Sequence, residues 1–231
     1  SLDKCPYVSD EAKETLGGAA APPIKLIKIG KGDKVREIGD EVVIFRHDKA
    51  FYHPTCIAVE ISDKLTGQDI ESKIEKVNGL VFERVGQKVS IDFVAVRNDS
   101  GNADTFADVV KEVAAKSNFA LVLISESPEA MAKALEIAGS ENPLIYAATE
   151  ANYEKMVELA KKYGCPLAVK GNGLDSTAAL VEKVAASYKE LVIDIGTRKM
   201  SQALAELTQT RRLSIKKKFR PFGYPVIAFT T

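Results

Sequence analysis

Polar and charged side chains recur where the apolar runs of the chain end: Asp63, Arg97-Asn98-Asp99, Ser125-Glu126, Thr149, Lys170-Gly171-Asn172-Gly173 and Asp194. In parallel α/β folds chemistry collects at the carboxyl ends of strands, so these positions form the candidate mouth of a site. Asn172 and Asp194 there could grip a polar heterocycle such as a pterin, as a methyltransferase barrel would. Lys170 is the lysine best placed for the Schiff-base chemistry of a lyase or aldolase. A plainer reading is that Ser, Thr, Asp and Asn cap helices and shape turns, as such loops require. Gly171-Asn172-Gly173 could approach a phosphate, but a positive-φ turn explains one G-x-G equally well. No Ser–His–Asp or Cys–His nucleophile set suggests itself, and no P-loop is present.

Both histidines, His47 and His53, precede the repeating part of the chain and lie outside any D-x-H-x-x-G loop. They read as structural hydrogen-bonding groups, and no cysteine or carboxylate cluster beside them makes a zinc site. The three cysteines, Cys5, Cys56 and Cys165, are too few and too scattered for a disulfide framework. Cys56 and Cys165 read as small buried hydrophobes. Six basic residues fall between Arg211 and Arg220: Arg211, Arg212, Lys216, Lys217, Lys218 and Arg220. They suit a solvated helix end, or a patch that docks an acidic partner or an anion.

The elements that must position these residues follow from periodicity. Residues 1–23 begin at Cys5-Pro6, pass through a helix-like stretch that Ser9 could cap, and end in Gly17-Gly18-Ala19-Ala20-Ala21-Pro22-Pro23. Small residues and a proline pair make that end a linker, so a domain boundary is placed there. Ile24 to Asp63 suggests short strands around Ile24–Ile27, Val42–Ile44 and Ile57–Ile61. Apolar runs then recur at Val89–Val96, Phe119–Ile124, Leu144–Ala147, Leu167–Val169, Leu191–Ile195 and Val226–Phe229. Between them, helical faces are predicted from Phe106, Val109, Val110 and Val113; from Tyr153, Met156, Val157 and Ala160; from Leu180, Val181, Val184 and Tyr188; and from Met200, Ala203, Leu204 and Leu207.

This alternation is that of βαβ units, and continuous strand runs imply a parallel sheet covered on both faces. The predicted fold class is α/β: a TIM-type (β/α)8 barrel over residues 24–231, incomplete because only seven strands are found and the last lacks its continuation. The alternative is an open doubly wound sheet, for which no G-x-G-x-x-G follows any strand. The 231 residues carry 32 basic and 32 acidic groups. That neutrality argues against a general nucleic-acid binder. No apolar run approaches the roughly 20 residues of a membrane span, and no signal-peptide layout appears, so no membrane partner and a cytoplasmic setting are expected.

Several stretches go further. Cys5-Pro6-Tyr7-Val8-Ser9 followed by Ala20-Ala21-Pro22-Pro23, Phe45-Arg46-His47-Asp48-Lys49, Phe51-Tyr52-His53, Tyr146-Ala147-Ala148-Thr149, Cys165-Pro166-Leu167-Ala168-Val169 with Gly171-Asn172-Gly173-Leu174, and Phe222-Gly223-Tyr224-Pro225 resemble the large (gamma-type) subunit of corrinoid iron–sulfur proteins of the reductive acetyl-CoA pathway. The resemblance spans essentially the whole chain. It implies a methyl carrier with a small N-terminal [4Fe–4S] domain, a barrel and a C-terminal cobalamin domain. Residues 1–23 would be the tail of the Fe–S domain and Cys5 the fourth cluster ligand, the other three lying upstream. The implied partners are the small subunit in a heterodimer, a methyltetrahydrofolate methyltransferase, and acetyl-CoA synthase/CO dehydrogenase. The barrel's implied role is that of scaffold, with no catalytic residue of its own and the corrin contacts elsewhere.

Overall fold

The computed structural model describes residues 9, 12–13, 17, 20–45 and 52–230. Its centre is a parallel six-stranded sheet. Strand β3 (Ala58–Ser62) is followed by helix α1 (Gln68–Asn78) and a protruding hairpin, β4 (Val81–Arg84) and β5 (Gln87–Ser90). Strict alternation follows: β6 (Phe93–Arg97), α2 (Ala103–Lys116), β7 (Ala120–Ile124), α3 (Pro128–Ala138), β8 (Leu144–Ala148), α4 (Tyr153–Tyr163), β9 (Leu167–Lys170), α5 (Leu174–Ala185), β10 (Leu191–Asp194) and α6 (Met200–Lys217). An antiparallel pair, β1 (Ile27–Ile29) and β2 (Arg36–Ile38), precedes them.

The strand order β10-β9-β8-β7-β6-β3 never reverses. A doubly wound sheet would reverse at a switch point and carry helices on both faces. Here the helices share one face: Ile74, Val110, Met131, Met156 and Leu180 pack with Val96, Leu123, Ile145, Val169 and Ile193 in one cluster. The opposite face holds Phe93, Ala95, Val122, Leu144, Tyr146, Ala168 and Val192, covered by Ile27 and Ile29 of the β1–β2 pair. A sheet wound in one direction, with helices outside and a hairpin plugging the inside, is a partial (β/α) barrel. The ring is not closed. Each fully buried Leu, Ile or Phe of this core contributes roughly 1.5–3 kcal/mol by leaving water.

Local signals account for the helices. Asn102 caps α2 by accepting from the amides of Asp104 and Thr105, and Ser127 caps α3 ahead of Pro128. Gly164 closes α4 at φ 71°, a left-handed conformation that glycine adopts without strain. Further upstream, the Ser9 hydroxyl accepts from the Ala12 amide at 3.3 Å, as the sequence suggests.

Four expectations need correction. Val89–Val96 falls in two strands, because Ile91-Asp92 separates the hairpin from β6, with Asp92 held by Arg36 and the Ile57 amide. Val226–Phe229 is a single parallel bridge, Ile193 to Val226, rather than a full strand. Val42–Ile44 forms no strand; Val43 and Ile44 instead offer their carbonyls to Arg211. The predicted apolar face of α6 is not buried: Met200 is 79% and Leu204 69% exposed, and the helix seats itself through Thr210 and Ser214 further along.

Candidate functional site

Side chains alternate along a strand, so Arg97, Lys170 and Asp194 share the inner face with Phe93, Ala168 and Val192 and stand at its carboxyl edge. Asp194 is 2% exposed. It accepts from the Tyr146 hydroxyl at 2.6 Å, from the Gly196 amide at 2.8 Å, and from Arg198 at 3.1 and 2.7 Å. Arg198 also donates to the Tyr146 hydroxyl at 3.0 Å. Burial, reinforced by the Asp194 charge, drives the Tyr146 phenol well above its ordinary value, so it stays a proton donor. Asp194, bonded first to Arg198, keeps the guanidinium above its ordinary value too.

Phe229 fills the space over this triad. Its ring meets Tyr146 edge-on at 5.1 Å between centroids, with the guanidiniums of Arg198 and Arg97 at 4.7 and 5.5 Å. Arg97 is in turn gripped by Glu60 at 2.6 and 2.5 Å, and Lys170 is paired with Glu126 at 2.6 Å. Each cation reaching into the mouth has its own carboxylate, and an aromatic ring lies across it.

The other predicted residues are structural. Asp63, fully buried, accepts from the amides of Asp99 and Ser100 and from the Ser100 hydroxyl, shaping the turn after β3. Ser125 accepts from Asn98, whose own side-chain oxygen has no partner. The Thr149 amide is bound by the Asn152 side chain. Gly171 and Gly173 are spacing residues. A Cβ on Gly171 would stand 2.5 Å from the Thr177 Cα, and Gly173 leads into α5 at φ 83°. The amides of Gly171 and Gly173 are already given to the Asp194 and Ile195 carbonyls, so this loop is not a phosphate cradle. Asn172 sits beside it, exposed, with its backbone amide donating to the Ser176 hydroxyl.

Cys5 and His47 lie outside the described residues. His53 Nδ1 is 4.0 Å from a Glu37 carboxylate oxygen. Burial pushes the thiols of Cys56 and Cys165 up to about 11, away from the thiolate that binds iron. Among the described residues no group of three His, Cys, Asp or Glu converges on a point, so Cys56 and Cys165 do not supply a cluster site. Glu60, Tyr146, Arg198 and Phe229 are members of the mouth that sequence reasoning missed. Arg198 follows Asp194 by four residues in a loop, and Phe229 lies in an apolar run whose periodicity predicts a strand.

Residues 26–231 match the CO dehydrogenase/acetyl-CoA synthase delta subunit family. The chain belongs to that family. Over its whole length it is 51% identical to the corrinoid/iron-sulfur protein large subunit of Moorella thermoacetica, covering 52% of that protein. Over 98% of its length it is 32% identical to the acetyl-CoA decarbonylase/synthase complex subunit gamma of Methanothermobacter thermautotrophicus, covering 50% of it. The gamma subunit of Methanopyrus kandleri is 31% identical over 99% of the chain, again at 50% coverage. The chain thus spans about half the length of the curated relatives it matches. Among the described residues no helix is long and apolar enough to cross a membrane.

Proposed function

We propose that this chain is the scaffold portion of a corrinoid methyl-carrier subunit acting in the cytoplasm. The parent protein passes a methyl group from methyltetrahydrofolate, through a methyltransferase, to acetyl-CoA synthase. Its cobalamin sits in a separate domain, and its partners include a small subunit in a heterodimer and the CO dehydrogenase/acetyl-CoA synthase. Cys5 is the fourth ligand of a [4Fe–4S] cluster whose other three cysteines lie upstream, since such a cluster takes four thiolates. The observation that carries this reading is the 51% identity over the full chain to a corrinoid/iron-sulfur protein large subunit.

The mouth supports a scaffold role. A pterin-binding methyltransferase would need Asp194 free to accept from the heterocycle, but Tyr146, Arg198 and Gly196 already occupy it. An aldolase would need a lysine outside an ion pair, whereas Lys170 is paired with Glu126.

Purification of the parent protein without air tests the proposal. Iron, acid-labile sulfide and cobalt are expected together, and Cys5→Ala should remove the cluster signal while cobalt remains. A preparation with neither iron–sulfur nor corrinoid absorption overturns the reading.

A further inference from the structure

Several cations of this protein have a carboxylate within reach: Lys25 with Glu190 at 2.5 Å, Lys133 with Asp104 at 2.7 Å, Lys183 with Glu150 at 2.6 Å. The carboxyl end of α6 concentrates its cations within eight residues, Arg211 to Lys218. Arg211 is engaged with Glu41, but Arg212, Lys216, Lys217 and Lys218 are exposed and, among the described residues, make no ion pair or hydrogen bond through their side chains.

Helix-dipole compensation explains a cation or two in a last turn, at about 0.3–1 kcal/mol each. It does not explain the rest. Arg212 and Lys216 are four residues apart on one helix face, a like-charge stacking that costs roughly 0.2–0.5 kcal/mol. Lys218 occupies the left-handed position that ends the helix, at φ 49°, where its amide bonds to the Leu213 carbonyl. Glycine adopts that conformation freely, whereas a lysine is strained there. Phe219, 38% exposed, lies next to it. Concentrated positive charge, kept at a local cost in a protein whose charges balance overall, is the complement of a negative surface.

We propose that Arg212, Lys216, Lys217 and Lys218 form an electrostatic docking patch for an acidic protein surface. Nucleic acid is disfavoured as the occupant by the balance of 32 basic against 32 acidic residues over the chain. A partner subunit is favoured by the assignment of this chain to a multi-subunit complex, and to that extent the inference rests on the proposed function. Patches of this kind act mainly on the rate of encounter and are screened by salt.

The test uses the parent protein and its variant R212S/K216S/K217S/K218G. Association with the purified small subunit is followed at low and high salt, with thermal unfolding as the folding control. The wild type should associate at least about tenfold faster than the variant at low salt, with the difference lost at high salt. Equal rates at low salt overturn the patch. If the wild type does not associate with the small subunit at all, it is the complex-subunit reading that fails. Binding to poly-L-glutamate and to a single-stranded DNA oligomer then decides the patch alone. Variant-sensitive binding of poly-L-glutamate supports it; absence of that binding, or tighter binding of the DNA, overturns it.

Discussion

Tyr146 and Asp194 join across the inner face of the sheet at 2.6 Å, although β9 lies between their strands. The bond ties β8 to β10 above the intervening Ala168, and Arg198 closes the triangle from the loop beyond β10. A buried carboxylate is tolerated only when its lone pairs are filled. Here they are filled by one phenol, one guanidinium and one amide, all from the protein itself. Such a site holds strands together rather than waiting for substrate.

Asp194→Ala should therefore destabilise the fold by about 2–3 kcal/mol. This is below the ~3–5 kcal/mol of a wholly buried pair because the Arg198 side chain is 33% exposed. Tyr146→Phe, which removes only the hydroxyl, should cost about 1–2 kcal/mol. In a double-mutant cycle the two losses should fall short of additive, since both remove the same bond. Urea denaturation of the four proteins measures this; strict additivity would mean that the triangle is not a unit.

Gly171→Ala addresses the turn that the sequence left open between a phosphate loop and a positive-φ turn. The added Cβ would lie 2.5 Å from the Cα of Thr177, a backbone atom that cannot swing aside. Overpacking of this kind costs about 1–3 kcal/mol, so the melting temperature should drop by several degrees. An unchanged melting temperature would put the glycine back among candidate ligand-binding positions.

Strands β6 to β10 were legible because parallel strands covered on both faces must be apolar throughout, and Leu121-Val122-Leu123 or Leu191-Val192-Ile193 can be nothing else. Helices α2, α4 and α5 were legible because large apolar residues mark one face. The α3 face was not, since Ala130, Ala134 and Ala138 bury a stripe too small to stand out from its surroundings. The hairpin β4–β5 escaped because it has no buried face to generate alternation: every residue of β4 is exposed, and Val89 stands only two residues before the apolar run of Ile91 to Val96. The mouth was half legible. Strand-end position marked Asp194, but its partners come from 48 residues before it and from a loop four residues after it, and no local pattern encodes such a meeting.

The hairpin turn offers a stabilising substitution. Val85 and Gly86, at φ 52° and 71°, form a two-residue loop with both central residues left-handed. A β-branched residue is strained there, and Val85 is 94% exposed, so it gains nothing by packing. Asn-Gly is the preferred pair for this turn, and Val85→Asn should raise stability by roughly 0.5–1 kcal/mol. Chemical denaturation reads the gain directly, and a loss instead would mean that the valine is covered in solution.

Cys165 sets an alkaline limit. Its thiol is fully buried beside the Gly139 carbonyl, and burial raises it from 9.0 to about 11. Below pH 9 the thiol is neutral in both folded and unfolded chains, so its contribution is fully present. Between pH 9 and about 11 the unfolded chain ionises while the folded one resists, and stability falls as pH rises. Two units correspond to a loss of order 2 kcal/mol across that window. Cys165→Ala sacrifices some packing at neutral pH but should make this part of the profile shallower, leaving the share that Cys56 contributes. Urea midpoints for both proteins at pH 8 and at successive steps above it check the slope. If the alanine variant falls as steeply as the wild type, the alkaline loss belongs to Cys56, whose thiol is raised by burial over the same range.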